Sequence, residues 1–274
     1  MSPAPATVTD MTTALITGAS AGIGRAFACE LAATGHDLVL VARSADALEE
    51  LAAQLRRGHG VQVEVLPADL ADRDQVQLVA QRVQAYGPGA VDLLVNNAGF
   101  GLATRFLRSD VRDEERQVEV MCRAVLVLCH AAGRAMSTRG RGQIINVSSV
   151  AAFVSLGSYS AVKAWVTTFS EGLAAELAGT GVQVMALCPG YVHTQFHERM
   201  GVRMQGVPEP LWLDSERLVR DALRDARKGK VVSVPGSAYK AVAVATGVLP
   251  RPAVRAVSVK LAGRRRRMQV RREA

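Results

Sequence analysis

Between residues 14 and 234 the chain alternates short, continuously apolar runs with longer segments in which apolar residues recur at a helical period. Runs such as Leu38-Val39-Leu40-Val41 and Leu93-Leu94-Val95 have no polar face, so a strand built from them must be covered on both sides. A parallel sheet with helices on both faces gives that cover. The pattern predicts strands at 14–17, 37–42, 61–66, 91–96, 143–148, 182–188 and 230–234, and helices at about 22–34, 44–57, 72–86, 110–138, 159–179 and 215–227. The expected fold class is therefore α/β, a doubly wound parallel sheet of seven strands in a single domain. Ser44 reads as the N-cap of the second helix and Gly58 as its C-terminal stop.

Charge separates this body from the C-terminal end of the chain. Of 33 Lys and Arg and 25 Asp and Glu, residues 251–274 hold nine bases and one acid, which leaves residues 1–250 neutral. The net charge of +8 thus belongs to a helical, basic C-terminal extension, residues 237–274, that ends in the run Arg264–Arg267 and beyond. This extension could lie on an anionic membrane surface or be a solvated end. Nucleic-acid binding ranks low, because no aromatic residues are interleaved with the arginines. No transmembrane helix is expected. Residues 1–11 read as a flexible leader without the basic start and apolar core of a signal peptide, so a cytoplasmic location is expected. Cys29, Cys122, Cys129 and Cys188 have no metal-ligand or CxxC spacing and read as buried thiols.

The first strand runs into Thr17-Gly18-Ala19-Ser20-Ala21-Gly22-Ile23-Gly24 and then into a helix. Glycines at such a junction allow a sharp turn and let backbone N–H groups approach a pyrophosphate, which the positive end of the helix favours. By itself this could equally be a tight strand-to-helix turn. The second strand closes on Ala42-Arg43-Ser44. A cation in place of an acid there suits a ribose 2′-phosphate, which favours NADPH over NADH, although a lone arginine at such a place could also be a solvated loop residue. Asp69, at the end of the third strand, could accept from an adenine amino group or cap the next helix.

Tyr159 and Lys163 are four residues apart and so share one helix face. A cation near a phenol lowers its pKa toward working pH and lets it exchange a proton with a substrate oxygen. Ser148-Ser149, at the end of the preceding strand, supplies a hydroxyl that could hold that oxygen, Ser149 being favoured over Ser148.

With the phosphate loop, Asn96-Asn97-Ala98-Gly99 after the fourth strand, Ser149, Tyr159 with Lys163, and Pro189-Gly190-Tyr191-Val192-His193-Thr194 after the sixth, the chain resembles a short-chain dehydrogenase/reductase of NADP-preferring type over residues 12 to about 236. The resemblance implies a Rossmann fold and reversible hydride transfer between a nicotinamide cofactor and a carbonyl or alcohol. It implies Tyr159 as general acid/base, Ser149 as the group orienting the substrate oxygen, and Lys163 as the group lowering the Tyr pKa and holding the nicotinamide ribose. The cofactor contacts it implies are Gly18, Ser20, Gly22, Ile23, Gly24, Arg43, Asp69, Asn96, Ala98, Gly99, Tyr159, Lys163, Pro189, Val192 and Thr194. It also implies a homo-oligomer.

Two positions depart from the family pattern. Met121 falls where the family carries an Asn in its fourth helix, and a thioether cannot replace an amide in a proton relay. Ser149 and Tyr159 are ten residues apart, a shorter interval than is common in the family, so the loop between them should leave the site more open. Residues 191–214 form the expected substrate lid, and Phe196, Met200, Met204, Leu211, Trp212 and Leu213 suggest a hydrophobic substrate, although they could equally pack the lid on the body. His193 and His197 lack a third ligand, so no metal is expected. The leading expectation is an NADPH-dependent oxidoreductase for a hydrophobic, possible acyl-chain, carbonyl substrate. The alternative is a dinucleotide-binding regulatory or scaffolding protein with little catalysis.

Overall fold

The computed structural model describes residues 13–104, 106–194, 208–250, 252–256 and 258–259. Seven parallel strands form the central sheet: β1 (Thr13–Thr17), β2 (Asp37–Ala42), β3 (Val63–Pro67), β4 (Val91–Asn96), β5 (Gly142–Val147), β6 (Val182–Leu187) and the last, Val232–Ser233. Their order across the sheet, counting them in chain sequence, is third, second, first, fourth, fifth, sixth and last. The order reverses between β1 and β4, and the loops leaving their carboxyl ends border the crevice where ligands of such sheets bind.

Helices α1 (Gly22–Ala33), α2 (Ala45–His59) and α7 (Ser215–Arg227) cover one face, where Phe27, Leu31, Leu48, Leu55, Val219 and Leu223 are buried. Helices α3 (Arg73–Gln84), α5 (Ala124–Arg139) and α6 (Ser158–Glu176) cover the other, around Val79, Val83, Leu128, Met136 and Val162. Each large apolar side chain buried this way contributes about 1.5–3 kcal/mol, and both faces of the sheet are used. Helix α4 (Val111–Val118) continues through a widened π turn, Glu119–Arg123, into α5. Together they form a segment, Val111–Arg139, long and apolar enough to cross a membrane, but 61% of its apolar window is buried inside the protein. It is a core helix in this fold.

Helix α2 runs past Gly58 to His59, and Gly60 with φ of 70° provides the left-handed stop. A Cβ on Gly58 would meet nothing within 4 Å beyond the helix's own backbone, and the glycine lies inside the helix, which corrects the expected boundary. Ser44 caps α2 as expected, accepting from the Ala47 N–H. Helix α3 is capped by Asp72, which accepts from the Asp74 and Gln75 N–H groups, and not by Asp69.

Nothing in the residue pattern signals a second, two-stranded parallel ribbon that joins Tyr191–Val192 to Trp212–Leu213. It brings the two ends of the lid together. Residues 195–207, with Gln195, Phe196, His197, Met200 and Met204, lie outside the described residues. A further helix, α8 (Ser237–Val248), follows the sheet, and residues 252–256 and 258–259 are helical again.

Candidate active site

The glycine-rich turn is held by three close approaches. The Thr17 hydroxyl accepts from the N–H groups of Asn97 and Ala98 at 2.9 and 3.0 Å. The Asn97 amide donates back to the Thr17 carbonyl at 2.9 Å and to that of Gly18 at 3.3 Å. A Cβ on Gly24 would lie 2.3 Å from the Gly18 carbonyl oxygen and 2.5 Å from the Asn97 amide nitrogen, so α1 can start this close to β1 only with a glycine there. Gly18 and Gly22 have φ of 66° and 55°, values that L side chains rarely adopt.

The N-cap residue of α1, Ala21, makes no side-chain cap bond and no acidic residue stands in the first turn, as at the glycine-started α6 and α8. By contrast Ser44, Asp72, Asp110 and Asp214 cap α2, α3, α4 and α7. The N–H groups at the head of α1, which follow a turn with Gly18 and Gly22 at positive φ, fit a dinucleotide pyrophosphate. Thr194 approaches from the opposite side: a Cβ on Gly22 would be 3.3 Å from its own. Ser20 and Ile23 lie on the same turn and are half-buried. Arg43 is exposed at the carboxyl end of β2 and joins none of the ion pairs found among the described residues. The Ala19 N–H bonds the Val41 carbonyl at 3.2 Å, which ties the glycine turn to the end of β2.

Asp69 and Asn96 are engaged by the protein itself. The Asp69 carboxylate accepts from Arg116 at 2.5 Å and from the Ala71 N–H at 3.0 Å. The Asn96 side chain is buried and donates to Asn146 on the neighbouring strand at 2.9 Å and to the Cys129 sulfur at 3.3 Å. Asn146 in turn donates to Ser170 of α6 at 2.9 Å. This buried chain of amides fixes α6 against the sheet. Asn97 belongs to the Asn96–Gly99 run that carries the resemblance, whereas Asn146, whose role lies in the tertiary contacts, has no distinguishing signal in the residue pattern beyond being a polar residue near the end of an apolar strand.

Helix α6 carries the acid/base pair. Lys163 is 5% exposed, its ammonium donating to the Val147 carbonyl at 2.8 Å and lying 5.7 Å from the Tyr159 ring centre. Ser149 hydrogen-bonds Tyr159, so the ten-residue interval still brings the two together. It does so because Val150–Phe153 winds into a 3₁₀ turn, capped by Ser149 itself through the Ala151 N–H. Ser148 faces inward, its hydroxyl on the Lys163 carbonyl and Thr167, both at 2.8 Å. Of the two serines, Ser149 is the one on the tyrosine side.

Burial pushes the Tyr159 phenol up to about 12, with the Ser149 hydrogen bond pulling the other way. Burial also brings the Lys163 ammonium down to about 8, although Cys188 and Cys122 oppose the shift. The expected lowering of the Tyr159 pKa by Lys163 is therefore not the governing effect in the cofactor-free chain. Loss of water around both groups favours their neutral forms.

The Lys163 shift has a consequence for stability. Between about 8 and 10.5 the unfolded chain binds more protons at this position than the folded one, so the contribution of Lys163 to stability rises with pH across that interval. The full effect is on the order of 3 kcal/mol. The raised pKa values of Cys122, Cys129 and Cys188 oppose it above about 9, and that of Tyr159 above about 10, so only a comparison with a variant lacking Lys163 isolates it. Melting curves of cofactor-free protein between pH 8 and 10 should show the wild type gaining on Lys163→Met. A pH-independent difference would show that Lys163 is solvated.

Met121 is 1% exposed and sits within the π turn. A Cβ on Gly99 would lie 2.7 Å from the Met121 sulfur and 3.7 Å from the Lys163 ammonium. The thioether, Gly99 and the lysine thus share one corner of the site. The Pro189 carbonyl accepts from the Val150 N–H at 3.0 Å and from Ser149 at 3.4 Å, while Val192 is buried in the lid ribbon. His193 stacks on Trp212 at 4.7 Å and faces Glu209 at 3.3 Å. No group of metal-binding side chains occurs among the described residues. The four cysteines are free thiols, two of them buried.

A parallel seven-stranded sheet with a glycine turn at its crevice and a Ser–Tyr–Lys group on the same edge defines a dinucleotide-dependent oxidoreductase fold. The chain belongs to the short chain dehydrogenase family, whose model matches residues 12–204. It is 35% identical over 202 residues to a 3-oxoacyl-[acyl-carrier-protein] reductase of Synechocystis, covering 71% of this chain and 81% of that one. It is 34% identical over 232 residues to the probable oxidoreductase EphD of Mycobacterium tuberculosis. That match covers 82% of this chain but only 39% of the relative, so the chain spans about two fifths of the EphD length. Among solved structures, a short-chain dehydrogenase from Sphingobium yanoikuyae in complex with NADPH superimposes with a TM-score of 0.79 at 33% identity, over 88% of this chain and 96% of that one.

Proposed function

We propose that the chain is an NADPH-dependent reductase that transfers a hydride between the nicotinamide cofactor and a carbonyl or alcohol of a hydrophobic, acyl-chain-like substrate. The observation that carries this reading is the Ser149–Tyr159 hydrogen bond, with Lys163 close by, on the same sheet edge as the uncapped head of α1. The NADPH of the Sphingobium enzyme and the acyl substrate class of the Synechocystis reductase support the cofactor and substrate class.

A bound dihydronicotinamide supplies the hydride. Tyr159, kept protonated by its burial, donates its proton to the carbonyl oxygen, and Ser149 holds that oxygen by a second hydrogen bond. Lys163 stabilises the phenolate left behind and offers its ammonium to the nicotinamide ribose. Gly18, Ser20, Gly22, Ile23 and Gly24 cradle the pyrophosphate, with Thr194 closing over it. Ala98 and Gly99 present backbone to the adenosine side, Pro189 and Val192 line the nicotinamide end, and Arg43 takes the 2′-phosphate. Asp69 and Asn96 contribute by fixing the walls, through Arg116 and Asn146. The domain boundaries follow the same reading, with the catalytic unit over 12–236, its lid at 191–214, and the basic extension at 237–274. The same reading makes the enzyme a cytoplasmic homo-oligomer.

Met121 beside Lys163 favours one second reading, a dinucleotide-binding protein with little turnover. NADPH oxidation with a panel of hydrophobic ketones separates the two, since cofactor binding without turnover of any of them overturns the reductase. Arg43→Ala is expected to weaken NADPH binding about tenfold or more, the loss of a charge-assisted hydrogen bond, and to leave NADH nearly unchanged. Equal losses for both cofactors remove Arg43 from the 2′-phosphate.

A further inference from the structure

Helix α8 touches the body through one narrow stripe, the buried Tyr239 with the half-buried Ala243 and Thr246. Apart from Ser237 in the first turn and Lys240, the rest of it is apolar and faces outward. Ala241, Val244 and Val248 form one row, and Ala238, Val242, Ala245 and Leu249 a second beside it. Val244 is 68% and Val248 81% exposed, and Val259 beyond the helix is 71% exposed. The Thr246 hydroxyl is satisfied within the helix, on the Val242 and Ala243 carbonyls at 2.9 and 3.0 Å, so past the first turn, which Ser237 opens, the outward rows are apolar. Lys240 lies at its edge. A soluble surface helix shows the reverse arrangement, with its apolar stripe inward.

The sequence around α8 identifies what covers it. From Ser237 to Arg272 there are ten Lys and Arg and no acidic residue. A second copy of the chain carries the same cationic segment, so pairing two such segments sets like charges against each other, whereas an anionic surface attracts them. Twelve residues make a helix of about 18 Å, too short to span a bilayer and followed at once by Pro250-Arg251-Pro252. An apolar helix flanked by cations suits the boundary between acyl chains and anionic headgroups.

The inner stripe of α8 is tied to the site. The Tyr239 hydroxyl donates to the Leu211 carbonyl at 2.5 Å and accepts from the Tyr191 N–H at 3.1 Å, one partner at each end of the lid. Its ring packs on Gly190, where a Cβ would lie 2.0 Å from it. Farther on, the buried Ser258 hydroxyl accepts from the N–H of Ser155, in the short loop between Ser149 and Tyr159, at 3.1 Å. The extension thus closes over the loop that was expected to leave the site open.

We propose that α8 and the basic residues after it form an interfacial membrane-binding element that sets the mouth of the site, between the lid ribbon and the 150–158 loop, against an anionic bilayer, so that a lipid-dissolved carbonyl substrate enters from the membrane. The substrate half of this rests on the reductase reading. The membrane half does not.

The test is co-sedimentation of the full chain with phosphatidylcholine vesicles, with and without phosphatidylglycerol, alongside turnover of a water-soluble ketone and of a long-chain ketone carried in the vesicles. The wild type is expected to partition into the anionic vesicles only. Val244→Asp with Val248→Asp should reduce that partition at least tenfold, and replacing Arg264–Arg267 by glutamine should abolish the anionic preference. Both variants should melt as the wild type does and keep its rate on the water-soluble ketone, while losing rate on the vesicle-borne one. Partition unchanged in both variants, or equal on neutral and anionic vesicles, overturns the docking. Intact partition with no turnover of either ketone leaves docking standing and overturns the reductase reading instead.

Discussion

Tyr159→Phe is expected to lower kcat by about 10³-fold or more while NADPH binds within about threefold of the wild type, consistent with the size of general acid/base effects. The substitution removes one oxygen and keeps the ring, so the packing of α6 and the nearby ammonium are left in place. What is lost is the only proton that the site holds at the tyrosine position and the partner of Ser149. The natural control is Ser149→Ala, which removes the second hydrogen bond to the substrate oxygen and keeps the proton, and should cost less. Single-turnover mixing of NADPH-loaded protein with a ketone reads the chemical step directly. A Phe variant that turns over at the wild-type rate would move the acid to another residue.

Gly24→Ala should be as damaging by a different route. The added methyl meets the Gly18 carbonyl oxygen at 2.3 Å and the Asn97 amide at 2.5 Å, and neither can yield. Gly18 is fixed in a left-handed turn, and Asn97 is bonded to the carbonyls of Thr17 and Gly18. The head of α1 must therefore move off β1, at about 1–3 kcal/mol for overpacking of this kind. Because the displaced N–H groups are those offered to the pyrophosphate, NADPH and NADH should weaken together by at least about tenfold, unlike the selective effect of Arg43→Ala. Titration of both cofactors by protein fluorescence, with a melting curve of the free protein, measures the two effects. Wild-type affinity in this variant would show that α1 does not hold the phosphates.

How much of this is legible in the sequence depends on whether the determining contacts are local. Strands β2 and β4 are legible to the residue, because an unbroken apolar run such as Leu38–Val41 suits a strand covered on both faces. Helix ends set by the nearest side chain, such as Ser44, are legible as well. The end set by Gly60 instead of Gly58 is not, since both glycines stop a helix equally well and only the path into β3 selects one. Asp69 and Asn96 have the places of cofactor contacts in the pattern, but their side chains are turned to Arg116 and Asn146, partners 47 and 50 residues away.

The same division runs through the extension and the site. The sequence by itself determined the parallel sheet, the glycine turn, the spacing of Tyr159 and Lys163, and the confinement of the positive charge to residues beyond 250, because each follows from periodicity or from neighbours along the chain. Only the tertiary structure decided that Ser149 and not Ser148 meets Tyr159, that Met121 packs on Gly99 beside Lys163, and that Tyr239 and Ser258 bind the extension to the lid and to the loop next to the catalytic tyrosine. Those contacts join segments up to 103 residues apart. Their geometry is set by how helices lie on a close-packed sheet, a property of the whole fold that no local run of residues encodes.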